Sequence, residues 1–91
     1  MKEEELVALG NDSENLLGNS CFSTVVNSLV DSSFQAFVNT SPEDVKGRER
    51  CYSQYRALVD VTNTLRHNMS VRDEIVAKYE KENSGNNNQE D

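Results

Sequence analysis

The feature that most constrains this chain is a Ser-Pro-Glu-Asp helix start followed by a long helical pattern. Ser41 can cap the first free backbone N–H groups, and Pro42 fits the first helical position, where no N–H is needed. Asp44 follows Ser41 at the spacing of a capping box, and its charge favours the positive end of the helix dipole. Beyond this start no proline interrupts the pattern, which contains one glycine, Gly47, and predicts a helix over about 42–81.

Apolar positions in this helix recur at alternating spacings of four and three, as one face of an amphipathic helix requires. They are Cys51, Tyr55, Leu58, Thr62, Leu65 and Met69, continued by Val76 and Tyr79. Ser70 opens a second capping-like signal. A break near Asn68–Ser70 is therefore the alternative to one continuous helix.

A second amphipathic pattern lies upstream and predicts a helix over about 20–39, capped by Asn19 or Ser20. Its apolar face recurs at spacings of four, three, four and four, through Phe22, Val26, Leu29, Ser33 and Phe37. A strand is excluded because the apolar residues do not alternate. The connection at 39–41 is short, so we expect an all-α fold in which two helices form a long antiparallel hairpin.

The two ends of the chain are predicted to differ. Residues 3–9 predict a short N-terminal helix that Gly10 ends, and a further short turn leads to Leu16. Residues 82–91 contain no apolar side chain and predict a disordered polar tail. The chain is then a single helical domain over 1–81, followed by that tail.

Helix lengths predict an assembly of several chains. At ~1.5 Å per residue, the first long helix covers only about half of the second. The apolar residues beyond its reach are Leu65, Met69, Ile75, Val76 and Tyr79. The N-terminal segment can fold back over some of them, and a second chain can cover the rest. We therefore expect a homo-oligomer with these five residues at its interface.

The net charge of −7 is distributed unevenly. Residues 1–40 hold one base against six acids, residues 41–81 hold eight bases against seven acids, and residues 82–91 hold three acids. Non-specific DNA binding requires many basic phosphate contacts, so this balance argues against a nucleic-acid partner. An acidic surface serves solubility or imitates a nucleic acid, and solubility is the commoner reason.

Few side chains have catalytic or ligating chemistry. His67 is the only histidine, and neither Cys21 nor Cys51 has a second ligand at the spacing of a zinc site. On a hairpin the two cysteines differ in height by ~15 Å, which excludes a disulfide between them. No glycine-rich phosphate loop occurs. The sequence therefore predicts a protein that is not an enzyme and has no catalytic residue, metal or cofactor.

The location of the protein is predicted from what the chain lacks. No apolar run approaches the ~18 residues of a membrane helix. The acidic N-terminal residues lack the apolar stretch of a signal peptide. We expect no membrane partner, a cytoplasmic location and reduced cysteines.

Several short motifs follow one another between about residues 15 and 70. They are Leu16-Leu17-Gly18-Asn19 with Phe22, Phe37-Val38-Asn39-Thr40, Asp44-Val45-Lys46-Gly47-Arg48-Glu49, Tyr55-Arg56-Ala57-Leu58, and Leu65. This order resembles a family of small, uncharacterised helical proteins of tailed bacteriophages, often encoded near head or packaging genes. The chain differs from that family at Phe37, where Trp is common, and in its long polar tail. The resemblance implies a phage origin and carries no catalytic residue over.

These features favour a non-enzymatic phage structural or assembly accessory protein that acts through protein–protein contacts. Its partners would be further copies of itself and another phage or host protein, in the host cytoplasm or the virion. The alternative is an inhibitor of a host or defence protein that uses an acidic surface. A weaker alternative is a small DNA-packaging or regulatory DNA binder.

Overall fold

The computed structural model describes the backbone of residues 1–90 and the side chains of residues 1–84. It contains the helices α1 (Glu3–Leu17), α2 (Ser20–Val38) and α3 (Val45–Glu90), and the described residues include no strand. The prediction of an all-α fold is confirmed. The chain divides into two compact units. We call Met1–Asn15 with Leu65–Asp91 the terminal unit, and Leu16–Thr64 the central unit.

α1 is one continuous helix of 15 residues, so the predicted helix end at Gly10 is wrong. Gly10 is buried inside the helix. A Cβ atom there would collide with Cβ of Arg72 and lie 2.8 Å from the backbone oxygen of Asn68. Glycine within a helix costs roughly 0.5–1 kcal/mol relative to alanine. Here the absence of a side chain allows the backbones of α1 and α3 to approach closely.

α2 begins and ends with local hydrogen bonds. Asn19 is its N-cap, and its Oδ1 accepts the backbone N–H of Phe22 at 2.9 Å. At the other end, the hydroxyl of Thr40 donates to the carbonyl oxygen of Phe37 at 2.7 Å. The observed helix therefore ends one residue before the predicted boundary at 39.

α3 begins three residues later than predicted, and Asp44 replaces Ser41 as its cap. Oδ1 of Asp44 accepts the backbone N–H of Gly47 at 3.0 Å. The hydroxyl of Ser41 donates to the carboxylate of Glu43 instead, while the Ser41 carbonyl accepts the Asp44 N–H at 3.0 Å. The physical reason is that the Ser41 hydroxyl is engaged by Glu43, while the Asp44 carboxylate accepts the helix N–H. A carboxylate is also the stronger acceptor for a helix N–H.

Gly47 is part of the same cap. It is buried, and a Cβ atom at this position would lie 2.6 Å from Cγ of Asp44. A side chain here would therefore push the capping carboxylate out of its position. The Asp-x-x-Gly spacing at 44–47 is explained by this close contact.

α3 continues without interruption through residues 68–70, so the alternative of a break there is wrong. The side chain of Asn68 donates to Ser13 of α1 at 3.1 Å and is not used to cap a new helix. α3 also extends past the predicted end at 81. Of the predicted disordered tail, the backbone of 82–90 lies within α3, while residue 91 and the side chains of 85–90 lie outside the described part. Disorder in that tail stays a prediction.

Aromatic pairs join α2 to α3 in the central unit. The ring centroids of Phe34 and Tyr55 are 5.8 Å apart, and those of Phe37 and Tyr52 are 5.9 Å apart, both in tilted orientations. Such pairs contribute about 0.5–1.5 kcal/mol beyond the area that they bury. The two pairs lie one helical turn apart on each helix, so successive turns of α2 and α3 are in contact.

Few side chains are fully removed from solvent. Among the described residues, Ile75 is the one buried hydrophobic side chain, at 9% exposure, and the buried polar residues are Ser13 and Ser33. Within the same part of the chain, no helix is both long enough and apolar enough to cross a membrane. The described interior is thus small and partly polar.

Candidate interaction surface

A buried serine and an asparagine join α1 to α3 in the terminal unit. Ser13 is 2% exposed, and its hydroxyl donates to the carbonyl oxygen of Leu9 at 2.8 Å. The same oxygen accepts from Nδ2 of Asn68 at 3.1 Å. The buried hydroxyl thus has both a donor and an acceptor partner, as buried polar groups require. Because the pair is directional, it favours one register between the two helices.

Arg72 makes the second polar link between these helices. Its side chain is 13% exposed, with Nη1 donating to Asn11 and Nη2 donating to Glu14, each at 3.1 Å. On its own helix it contacts Asp73, at 2.8 Å from Nη2. The hydrogen bond with Glu14, and then that with Asp73, raise the pKa of the Arg72 guanidinium above its ordinary value.

The sequence pattern presents Arg72 only as an interruption of the apolar register. The structure shows that it lies on the face of α3 that contacts α1, one helical turn from Asn68. Asn11 and Glu14 are three residues apart on α1, so one guanidinium reaches both. That spacing is a usable signal, although it identifies the partner only once the two helices are known to pack together.

An apolar groove lies between α1 and α3 further along the terminal unit. It has a volume of about 340 Å³ and is lined by Glu3, Glu4, Val7, Ile75 and Tyr79. We call it the terminal groove. Val7, Ile75 and the ring of Tyr79 are apolar, while the two glutamates are acidic. The groove therefore combines a hydrophobic surface with negative charge.

The Tyr79 hydroxyl is held at the acidic edge of the terminal groove. It donates to Oε1 of Glu3 at 3.0 Å. Nζ of Lys78 lies 3.6 Å from Oε2 of Glu3 and 5.7 Å from the centroid of the Tyr79 ring. The hydrogen bond to Glu3 is the largest cause that raises the pKa of Tyr79, followed by the charge of Glu3. One carboxylate and one ring thus already hold an ammonium group.

The residues predicted at an oligomer interface do not share one environment. α1 contributes to the burial of Ile75, and Tyr79 lies with it in the terminal groove. Leu65 and Met69 are half-buried, and Val76 is 38% exposed. These three positions are four and seven residues apart and share a face of α3.

The central unit has apolar surface of its own. Exposed hydrophobic side chains on α2 are Val25, Leu29, Phe34 and Val38, and those on α3 are Val45, Tyr52 and Val61. A groove of about 390 Å³ is lined by Phe37, Arg48, Glu49, Tyr52 and Ser53. Nη1 of Arg48 donates to the carbonyl oxygen of Pro42 at 3.2 Å, which holds this arginine beside the turn before α3.

Side chains with reactive chemistry are separate from one another. His67 and Cys21 are exposed, Cys51 is half-buried, and both cysteines are free thiols. In the described part of the chain, no group of three or more His, Cys, Asp and Glu side chains is arranged to hold a metal ion. The features brought together by the structure are apolar grooves with charged edges, which suit binding.

Comparisons with known proteins identify no relative of this chain. The chain matches no protein-family model, no curated protein and no solved structure. The resemblance to the tailed-phage family therefore remains a prediction from short motifs, and the proposals below depend on the surfaces described above.

Proposed function

We propose that this chain is a non-enzymatic assembly protein that acts through protein–protein contacts and binds further copies of itself. One observation carries the proposal. Among the described residues a single hydrophobic side chain is buried, whereas twelve large ones are exposed. Full burial of such a side chain stabilises a protein by about 1.5–3 kcal/mol, while ordering each residue costs about 1–2 kcal/mol of backbone entropy. A second chain would supply the burial that one chain lacks.

The self-contact is proposed on the face of α3 that contains Leu65, Met69 and Val76. These side chains are the part of the predicted interface that lies outside the terminal groove. For the central unit we propose a long antiparallel hairpin of α2 and α3. The opposite order of the pairs Phe34–Tyr55 and Phe37–Tyr52 along the two helices supports that arrangement.

The proposed setting is a tailed bacteriophage, where the chain would be a structural or assembly accessory protein. The support is the order of motifs between about residues 15 and 70. In this chain Asp44 and Gly47 belong to the cap of α3, and Phe37 and Tyr55 belong to the aromatic contacts. Some of the motif positions thus contribute to the cap of α3 and to the contact between α2 and α3.

Two measurements test this proposal. Sedimentation equilibrium of the purified chain should give a mass above that of one 10.3 kDa chain, with a distribution that depends on concentration. Mass spectrometry of purified phage particles should detect the chain. A folded, stable monomer at high concentration would contradict self-association, and absence from particles would contradict the role as a virion component.

A second candidate is an inhibitor that binds a host or defence protein through an acidic surface. The observation in its favour is the division of charge. The terminal unit contains eleven acidic and five basic residues, whereas the central unit contains five acidic and four basic residues. Nearly all of the net negative charge thus belongs to one unit. Co-purification of one host protein from infected cells, together with absence from particles, would favour this candidate.

A further inference from the structure

The terminal groove has the properties of a binding site for one class of partner. Its apolar lining lies between two helices, where a third helix could insert side chains from one of its faces. A volume of about 340 Å³ is at the small end of protein pockets, so it suits a few anchoring side chains better than a whole ligand.

The charge around the groove determines which partner fits. Glu3 already contacts Lys78 and Tyr79. Glu4 also lines the groove, and the described residues provide no ion pair for it. The terminal unit has a net charge of −6, from eleven acids and five bases. A cationic partner would be attracted to this unit and then oriented at the groove.

The contact between Lys78 and its neighbours shows the recognition chemistry. Its ammonium lies near both the Glu3 carboxylate and the Tyr79 ring. An ammonium is attracted both to the face of an aromatic ring and to a carboxylate, and each contact is weak at an exposed site. A partner that presents a lysine next to an aliphatic side chain could repeat this contact at Glu4 and fill the groove.

We propose that the terminal groove binds a basic amphipathic helix of another protein, with aliphatic side chains in the groove and lysines or arginines at Glu4. This inference rests on the proposed role in protein–protein contacts and names a partner class for it. A second copy of the terminal unit is the weaker occupant of the groove, because its own charge of −6 offers no attraction to Glu4, whereas a basic helix does.

The first test uses a synthetic helical peptide with lysines on one face and leucines on the other, labelled for fluorescence anisotropy. Glu4→Lys should weaken binding of this peptide about fivefold, since it replaces an attraction with a repulsion. Glu5→Lys is the matched control. It makes the same change in net charge one residue further along α1, at a position that does not line the groove, and should have less than half that effect.

The second test concerns the apolar lining. Val7→Ala should weaken peptide binding about fivefold, whereas Leu9→Ala, on the same helix but outside the groove, should leave it unchanged. Thermal unfolding by circular dichroism checks that each variant remains folded. Alanine is the most favourable helix residue, so neither change is expected to disrupt α1.

The peptides themselves separate the possible occupants. A peptide with glutamates in place of lysines should not bind, and raising the salt should weaken binding of the lysine peptide. Equal binding of both peptides, or no effect of Glu4→Lys, would overturn the inference. Loss of self-association in Val7→Ala, measured by sedimentation, would assign the groove to a second copy and also overturn it. If peptide binding fails while the chain still self-associates, the inference fails and the proposed function stands.

Discussion

At the scale of single residues, polar side chains link α1 to α3 at defined positions. Ser13 and Asn68 form a partly buried pair. Arg72 donates to Asn11 and Glu14. Such contacts are directional. When one partner of a buried hydrogen bond is removed, leaving the other unsatisfied costs more free energy than the intact bond contributed. The stability of the terminal unit should therefore respond strongly to small changes at these positions.

Ser13→Ala is expected to destabilise the chain by about 1–3 kcal/mol, because it leaves the amide of Asn68 without its partner in a partly buried site. Urea denaturation would measure the change in the free energy of unfolding. Ser28→Ala, at an exposed position on α2, is the control and should stay within about 0.5 kcal/mol. If Ser13→Ala changed the free energy of unfolding as little as this control, the pair would contribute nothing to stability.

Titration of Tyr79 tests its contact with Glu3. Because the pKa of Tyr79 is raised, the phenol keeps its proton to higher pH in the folded state than in the unfolded state. The associated stability is present below the ordinary pKa of about 10 and is lost as the pH rises through the folded value. Alkaline absorbance titration, with Tyr79→Phe identifying the signal, should show this pKa falling towards its ordinary value in Glu3→Gln. An unchanged titration would mean that Glu3 is not the cause.

At the scale of helices, the start of α3 depends on Asp44 and Gly47 acting together. The carboxylate caps the helix only because no Cβ occupies the space next to it. The same glycine is also a poor helix former. Gly47 thus lowers the intrinsic helix propensity of α3, but it leaves room for the Asp44 carboxylate to cap the helix.

Asp44→Ala should destabilise the chain by about 1 kcal/mol, as lost N-caps do, while Ser41→Ala should cost less than about 0.5 kcal/mol. Gly47→Ala should bring little or no gain in the wild-type background, because the added methyl displaces the cap. In the Asp44→Ala background it should stabilise by about 1 kcal/mol, the ordinary gain from replacing glycine in a helix. Chemical denaturation of the four chains of this cycle measures the coupling. Equal effects in both backgrounds would show that the two residues act independently.

At the scale of the whole molecule, charge and apolar surface are divided differently between the units. The terminal unit contains almost all of the net negative charge, while exposed hydrophobic side chains occur in both units. The proposed self-association would have to overcome repulsion between like charges, whereas the proposed binding of a basic partner would gain from the same charge. The two activities should respond to salt in opposite directions.

Val76→Asp is expected to weaken self-association and to shift the sedimentation profile towards a single chain, because it puts a charge into an apolar contact. Val61→Asp is the matched control, since it replaces another exposed valine of α3 outside the proposed interface. The two valines are 38% and 47% exposed, so either aspartate should be tolerated by the folded chain. Raising the salt from about 0.1 M to 1 M, which shortens the screening length from about 10 Å to 3 Å, should strengthen self-association of the unmodified chain. Equal effects of the two substitutions would remove the support for this face.

How far the sequence alone predicts the molecule depends on the distance over which each feature acts. The helical class follows from apolar spacing, because i, i+3 and i+4 neighbours on one helix are fixed by its geometry. The start of α2 at Asn19 or Ser20 also follows from local capping chemistry, and the structure assigns the cap to Asn19. Asp44 is already part of the capping signal before α3.

The sequence predicts that the N-terminal segment can fold back over the second long helix, but the tertiary structure decides which residues of α1 and α3 are in contact. The sequence alone predicts that Gly10 ends a helix. In the structure Gly10 lies inside α1, and Arg72 and Asn68 occupy the space beside it. In the sequence Arg72 only interrupts an apolar pattern. In the structure its partners are Asn11 and Glu14, about sixty residues earlier in the chain. The acidic groove likewise requires Glu3 and Tyr79 to meet from opposite ends of the chain. The sequence pattern determines which face of a helix is apolar, and packing determines which distant residues complete it.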